Sequence, residues 1–333
     1  MRRFLTFDDV GLIPKFNVIR SRLNTNIHTK LGIDEFKSPF IPSNMDSVIG
    51  LDLANICRDR GSPIIFHRFT SIRQQIEWIK EFPDSYLSVG VKERNDNIDT
   101  LYYAGCRRFC IDVAHGHSQS VIDTIKRVKD KDNTVQVIAG NVCSYEGVID
   151  LSKAGADIVK IGIGPGSACI TRMMTGMGVP QFTAIQDCYQ GKLHMKERDR
   201  DIFLIADGGI RNPRDAVLAL AAGADGVMMG SVFARTFESA APKRKSGYKM
   251  YGRYRGQASN EFMKNYMKTK RQAEGVAFDV LIDKSAKDVF DEYEGGLRSA
   301  LTYCGTDNLD DFRKNAEIFE STSNFMTESN YRE

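Results

Sequence analysis

The chain has 333 residues, 42% of them hydrophobic, with a formal net charge of +3 and seven cysteines. That supports one large domain or two ordinary ones, and a pI near 8.4 is too mild for a nucleic-acid partner, which asks for a concentrated basic face. The one dense basic run, Lys243-Arg244-Lys245, sits in a loop-like segment and reads as solvated. No apolar run approaches the roughly 20 residues that cross a bilayer. Acidic residues interrupt MRRFLTFDDVGLIP too early for a secretory leader. Scattered thiols with no CxxC pair predict a reducing, cytoplasmic setting, with no membrane and no nucleic acid.

Short apolar runs recur, and they predict strands over 36–44, 63–67, 86–91, 108–114, 135–142, 158–164, 202–209 and 226–233. Helical spacing fills the intervals, as in SIRQQIEWIKEF, SVIDTIKRVKD, EGVIDLSKAGA and NPRDAVLALAAGA. Near-continuous apolar strands alternating with helices predict parallel βαβ units. Eight of them predict an α/β fold, a (β/α)8 TIM barrel formed as a single domain over 1–333; a doubly wound open sheet is the alternative. The pattern breaks over 238–285, which reads as a long polar, irregular loop after strand eight. Helical spacing returns over 295–306 as the last barrel helix, and a charged, mobile tail is expected over about 315–333.

Asn44, His67, Asp112, Asn141, Gly164, Asp207 and Gly230 fall at or just past the predicted strand ends. Singly, each is an ordinary turn or cap residue. Together they share the rim where barrels build their sites. The stretch GIGPGSACITR, 162–172, places a thiol in a frame that denies both helix and strand. Its glycines leave backbone amides free, and Ser167 adds a hydroxyl, a combination that suits a phosphate or a cation. ADGGI (206–210) and MMGS (228–231) offer the same, or are tight βα turns. Cys169 becomes a nucleophile if a neighbour lowers its pKa from about 8.5, and Arg172 is the candidate cation. Thr171 is a poor base alone and needs a carboxylate, for which Glu274 of QAEGV is the candidate.

GIGPGSACITR followed by TGMGVPQFTAI resembles the signature of the inosine monophosphate dehydrogenase and GMP reductase family. FDDVGLIP, VIRSRLN, PSNMDSV, SVGVKE, CIDVAHGHS, VIAGNV, IADGGIR, VMMGS, YRGQAS, AEGV and GGLRSALTYCGT follow in family order through nearly the whole chain. The resemblance implies the same barrel. Most dehydrogenases of the family insert CBS modules after the second strand, whereas here IIFHRFTSIRQQIEW runs straight into a helix. They also carry an Arg-Tyr flap that activates water, placed between the YRG loop and the later Glu-Gly. Here ASNEFMKNYMKTKRQAE, 258–274, holds no Arg-Tyr, and Arg253-Tyr254 stands on the wrong side of Tyr254-Arg255-Gly256. The sequence therefore resembles the reductase branch, with FHRF, SVGVKE and AHGHS similar to the Gram-positive form. YRGQAS is a departure shared with the dehydrogenase branch, and a dehydrogenase without CBS modules, taking IMP to XMP with NAD, is the alternative.

The resemblance implies NADPH-dependent deamination of GMP to IMP through a thioimidate on Cys169, with Thr171 and Glu274 moving the proton. It implies substrate contacts at Ser167, Asp207, Gly208, Gly209, Gly230 and Ser231. From the later loop it adds Gly256, Gln257, Ala258, Arg271, Gln272, Ala273 and Gly275. Toward the cofactor it implies Arg68, Asp112, Val113, Ala114, Ile163, Gly164, Gln257, Lys270 and Arg271. Ser21, Arg22, Ser299, Ala300, Leu301 and Thr302 would reach the cofactor from a neighbouring subunit, which implies a homo-oligomer, a tetramer. Potassium is implied on the backbone of Gly164, Gly166 and Cys169, beside Arg172.

Overall fold

The computed structural model describes residues 2–91, 95–266, 272–322 and 324–329. Eight parallel strands form the centre: β1 Phe40–Pro42, β2 Ile65–Phe66, β3 Tyr86–Val89, β4 Arg108–Asp112, β5 Gln136–Val142, β6 Ile158–Ile161, β7 Phe203–Asp207 and β8 Gly226–Met229. Their order is β1-β8-β7-β6-β5-β4-β3-β2, so strands adjacent in sequence are adjacent in space and the sheet curls into a barrel. β1 and β2 form the seam, with no ladder between them among the described residues. There the Ser62 hydroxyl donates to the Phe40 carbonyl at 2.6 Å.

Each strand is followed by a helix that covers it: α1 Leu51–Arg60, α2 Ile72–Glu81, α3 Asn95–Tyr103, α4 Gln119–Lys129, α5 Tyr145–Ala154, α6 Gln181–Lys196, α7 Pro213–Ala221 and α8 Ala286–Tyr303. The sequence starts several of them with a cap. Ser71, Ser144 and Asn212 accept from Gln74, Gly147 and Asp215 amides, and Ser285 forms a capping box with Asp288. α8 therefore begins earlier than the glycine pair of GGLRSALTY suggested. Gly296 sits inside it because α7 comes close: a Cβ there would lie 2.8 Å from Pro213 Cβ.

The strands alternate between two cores. Phe66, Leu87, Phe109, Val137, Val159, Leu204 and Val227 pack outward under the helices. Ile41, Ile65, Tyr86, Cys110, Ile138, Ile158, Ile205 and Met228, one from every strand, fill the barrel, and Leu31 with Phe36 of the hairpin 29–36 closes its floor. Because strand side chains repeat every second residue, the next inward positions are Ser88, Asp112, Lys160 and Asp207. The interior thus turns from apolar to polar one step below the rim.

The segment after β8 departs from the expected irregular loop. Strands at 243–246, 249–255 and 277–282 form an antiparallel sheet, its first hairpin turning at Gly247 with φ +59°. The strand pattern is masked in KMYGRYR because the first strand is wholly exposed and charges line the outer face. Of the tail expected to be mobile, residues 318–320 pair antiparallel with 10–12. No helix of the described residues is long and apolar enough to cross a membrane.

Candidate active site

β6 ends at Ile161, and Gly162 follows at φ +141°, where a Cβ would lie 2.1 Å from the Asp207 carbonyl oxygen. Only glycine lets the chain leave the barrel so close to β7. The loop then folds on itself, the Cys169 amide donating to Gly166 O at 2.9 Å. It zips against the end of the long insertion through Ile170 N to Glu274 O (2.8 Å) and Val276 N to Ala168 O (2.9 Å). This pairing brings the three expected catalytic groups together. The Cys169 thiol lies 3.2 Å from Thr171 Oγ1, which donates to Glu274 Oε2 at 2.9 Å.

Burial pushes the thiols of Cys57, Cys106, Cys110, Cys143, Cys188 and Cys304 up, whereas Cys169 opens onto a cavity. Arg172 stands within electrostatic reach of the Cys169 thiol, the role its sequence position suggests. Its guanidinium donates to Ile163 O at 3.2 Å and Val179 O at 2.5 Å, with no hydrogen bond to the Cys169 sulfur. It clamps the two ends of the loop. Among the described residues no three of His, Cys, Asp or Glu converge as metal ligands, so a cation beside Cys169 would depend on loop carbonyls such as those of Gly164 and Gly166.

Two adjoining cavities occupy the rim. The first, about 410 Å³, has Cys169, Thr171 and Glu274 on one wall with Ile163 and Gly164 beside them. Gly256, Gln257, Ala258, Gln272 and Gly275 line it from the insertion, and Arg68, Asp112, Val113 and Ala114 from the β2 and β4 side. The second, about 340 Å³, is lined by Ser167, Gly209, Gly230 and Ser231. Asp207 and Gly208 line both. Ala273 is buried and lines neither, and Lys270 and Arg271 lie outside the described residues. Ser21, Arg22 and Ser299 to Thr302 line neither cavity; they stand together elsewhere, Arg22 Nη1 donating to Ser299 Oγ at 3.2 Å.

The sequence reading missed Lys160. It is 1% exposed on β6, and its ammonium reaches Asp112 Oδ1 at 2.7 Å, Asp207 Oδ2 at 3.2 Å and Asn44 Oδ1 at 3.3 Å. Burial works against its charge, but Asp112 and Asp207 outweigh it and hold the group protonated. The one available signal was a lysine inside an otherwise apolar strand, IVKIGIG. Tyr254, set aside as part of a misplaced Arg-Tyr pair, lines both cavities. Burial pushes its phenol up to about 12. Gly230 makes room for it, since a Cβ there would lie 2.5 Å from the Tyr254 hydroxyl.

The family model described as IMP dehydrogenase / GMP reductase domain matches residues 4–332. An inosine-5'-monophosphate dehydrogenase of Chlorobaculum tepidum is 40% identical over 73% of this chain and 51% of its own length. A second dehydrogenase, from Borreliella burgdorferi, is 33% identical over 98% of this chain and 96% of its own. A GMP reductase of Staphylococcus carnosus is 37% identical over 94% and 95%. The chain thus spans about half the length of the Chlorobaculum relative and nearly all of the other two. With a model match from residue 4 to residue 332 and a barrel whose rim gathers the expected thiol, hydroxyl and carboxylate, the chain belongs to the IMP dehydrogenase / GMP reductase family.

Proposed function

We propose that this protein is a GMP reductase, which uses NADPH to convert GMP to IMP with release of ammonia. The observation that carries the reading is the hydrogen-bonded series Cys169–Thr171–Glu274, in a wall with no Arg-Tyr pair between Ala258 and Glu274. Such a series can move a proton to a leaving amine, and the Arg-Tyr pair with which the dehydrogenase branch activates water is missing from this segment. Alignment lengths support the same branch. The match to the Borreliella dehydrogenase runs over 392 positions, more than this chain's 333 residues, so that relative holds segments absent here. The match to the Staphylococcus reductase runs over 321.

In this reading the Cys169 sulfur adds to purine C2, and Thr171 with Glu274 delivers a proton to the 2-amino group. An amine leaves a tetrahedral carbon once protonated, so ammonia departs and a thioimidate remains on Cys169. Bound NADPH supplies the hydride that reduces C2. The carbon–sulfur bond then breaks, the sulfur recovers its electron pair, and IMP is freed. Asp207 accepts the ribose hydroxyls, and Ser167, Gly208, Gly209, Gly230 and Ser231 cradle the phosphate with amides and hydroxyls. Arg68, Asp112, Val113 and Ala114 would face a bound cofactor, and the carbonyls of Gly164, Gly166 and Cys169 would hold potassium. Ser21, Arg22 and Ser299 to Thr302 complete a neighbour's cofactor site in a cytoplasmic homotetramer.

The test follows the reduced-nicotinamide absorbance with GMP plus NADPH and, separately, IMP plus NAD. NADPH should be consumed with GMP and ammonia released. The dehydrogenase reading, favoured by YRGQAS, instead expects NADH and xanthosine monophosphate from IMP, and that result would overturn the assignment.

A further inference from the structure

We propose that Lys160 is the positioning residue that joins the nucleotide and cofactor halves of the site, holding Asp207 and Asp112 with one ammonium. The proposal rests on the reductase reading above for which ligand lies on each side. Lys160 is 1% exposed, and its three acceptors, Asp112 Oδ1, Asp207 Oδ2 and Asn44 Oδ1, match its three protons. The Asn141 amide also donates to Asp207 Oδ2, at 2.9 Å. That oxygen is therefore engaged twice, which leaves Oδ1 for a ligand in the cavity that Asp207 lines. Asp112 gives Oδ1 to Lys160 in the same way and leaves Oδ2.

One cation thus fixes the orientation of two carboxylates, one on the nucleotide side and one on the cofactor side. The other titratable groups facing this cluster are Cys110 from β4 and, beside Asp207, Tyr254, which in turn feels Cys169. Arg68 lines the same cavity from the β2 side. Without Lys160, two carboxylates would share one poorly solvated site with no cation between them, and their repulsion would favour protonation of one. A protonated Asp207 is a weaker acceptor for a ribose diol.

The test uses the full-length enzyme as wild type, Lys160→Met, Asp112→Asn and the double variant. IMP affinity is measured by titration calorimetry at about pH 6 and about pH 8 and expressed relative to wild type at the same pH, because protonation of a carboxylate is favoured at the lower value. IMP is used because both branches of the family handle it and its binding needs no turnover. Lys160→Met should weaken binding by about 10- to 100-fold at the lower pH, the size of ordinary site-to-site coupling, and by less at the higher. Asp112→Asn in that background should recover most of the loss, although Asp112 stands on the cofactor side. Wild-type affinity in Lys160→Met, or a loss that neither pH nor Asp112→Asn alters, overturns the proposal. If Lys160→Met does not fold, adding Asp112→Asn should restore folding; a double variant that stays unfolded makes Lys160 structural and also overturns it. The reductase reading fails separately, by wild type leaving NADPH untouched in the presence of GMP.

Discussion

Thr171 donates its hydroxyl hydrogen to Glu274 Oε2 across 2.9 Å while accepting from the Cys169 thiol at 3.2 Å. The two side chains are held by backbone pairing between their loops, so the contact does not depend on a ligand. Glu274→Gln keeps the shape and removes the base. GMP-dependent NADPH oxidation should fall by about 10²–10⁴-fold, the scale of a lost general acid–base, with GMP affinity nearly unchanged. Removal of hydride from IMP, in which no amine leaves, should suffer far less. Equal damage to both reactions would mean that Glu274 shapes the pocket and does not relay protons.

The barrel was legible because its strands are buried on both faces and read as apolar runs that alternate with helices. Cys169, Thr171 and Asp207 were legible because motif and strand end coincide. Glu274 was not legible from spacing, since the pairing that delivers it to Thr171 joins loops far apart in the chain; the family resemblance supplied it. Lys160 was hidden because a charge inside an apolar strand announces neither its partners nor its direction. The sheet after β8 was hidden because a strand with a solvated outer face and a fully exposed partner carries little apolar signal.

Asp225, 4% exposed and immediately before β8, tests stability apart from chemistry. Its carboxylate takes both Lys192 contacts at 2.7 Å, the Leu204 amide at 2.8 Å and Arg313 at 3.2 Å. Asp225→Ala leaves the largely buried Lys192 without its anion and Arg313 with Asp310 alone, and should cost about 3–5 kcal/mol. Thermal unfolding should shift downward accordingly. The kcat/KM of the fraction that stays folded should hold, because Asp225 lines neither cavity.

His67 gives a dependence on pH. Burial pushes its imidazole down to about 4, with Asp46 opposing only in part, against about 6.5 in an unfolded chain. The folded state therefore binds fewer protons between those values. The stability His67 contributes is complete above about pH 6.5 and is lost as pH falls through about 4, by about 3 kcal/mol in all. His67→Asn keeps an acceptor for the Phe69 amide, which now meets His67 Nδ1 at 3.2 Å, but does not titrate. Urea unfolding at about pH 7.5 and about pH 5 should show a smaller drop for this variant than for wild type. Equal drops would place the acid sensitivity elsewhere.

Phe16, Val18 and Leu23 are 89%, 74% and 79% exposed and flank Ser21 and Arg22. Apolar side chains so concentrated on one short segment suit a covered surface better than a solvated one. Arg22 also reaches Ser299 on α8, so the residues proposed to serve a neighbour's cofactor share one patch. If that patch is where subunits meet, Leu23→Asp should yield monomers in sedimentation, since a carboxylate resists burial against apolar atoms. The monomer should keep IMP affinity, because the nucleotide cavities lie within one chain. It should lose NADPH affinity and turnover together, because part of the cofactor site would be missing. A monomer with full GMP-dependent activity would show that one chain builds the whole site and that the apolar patch serves some other purpose.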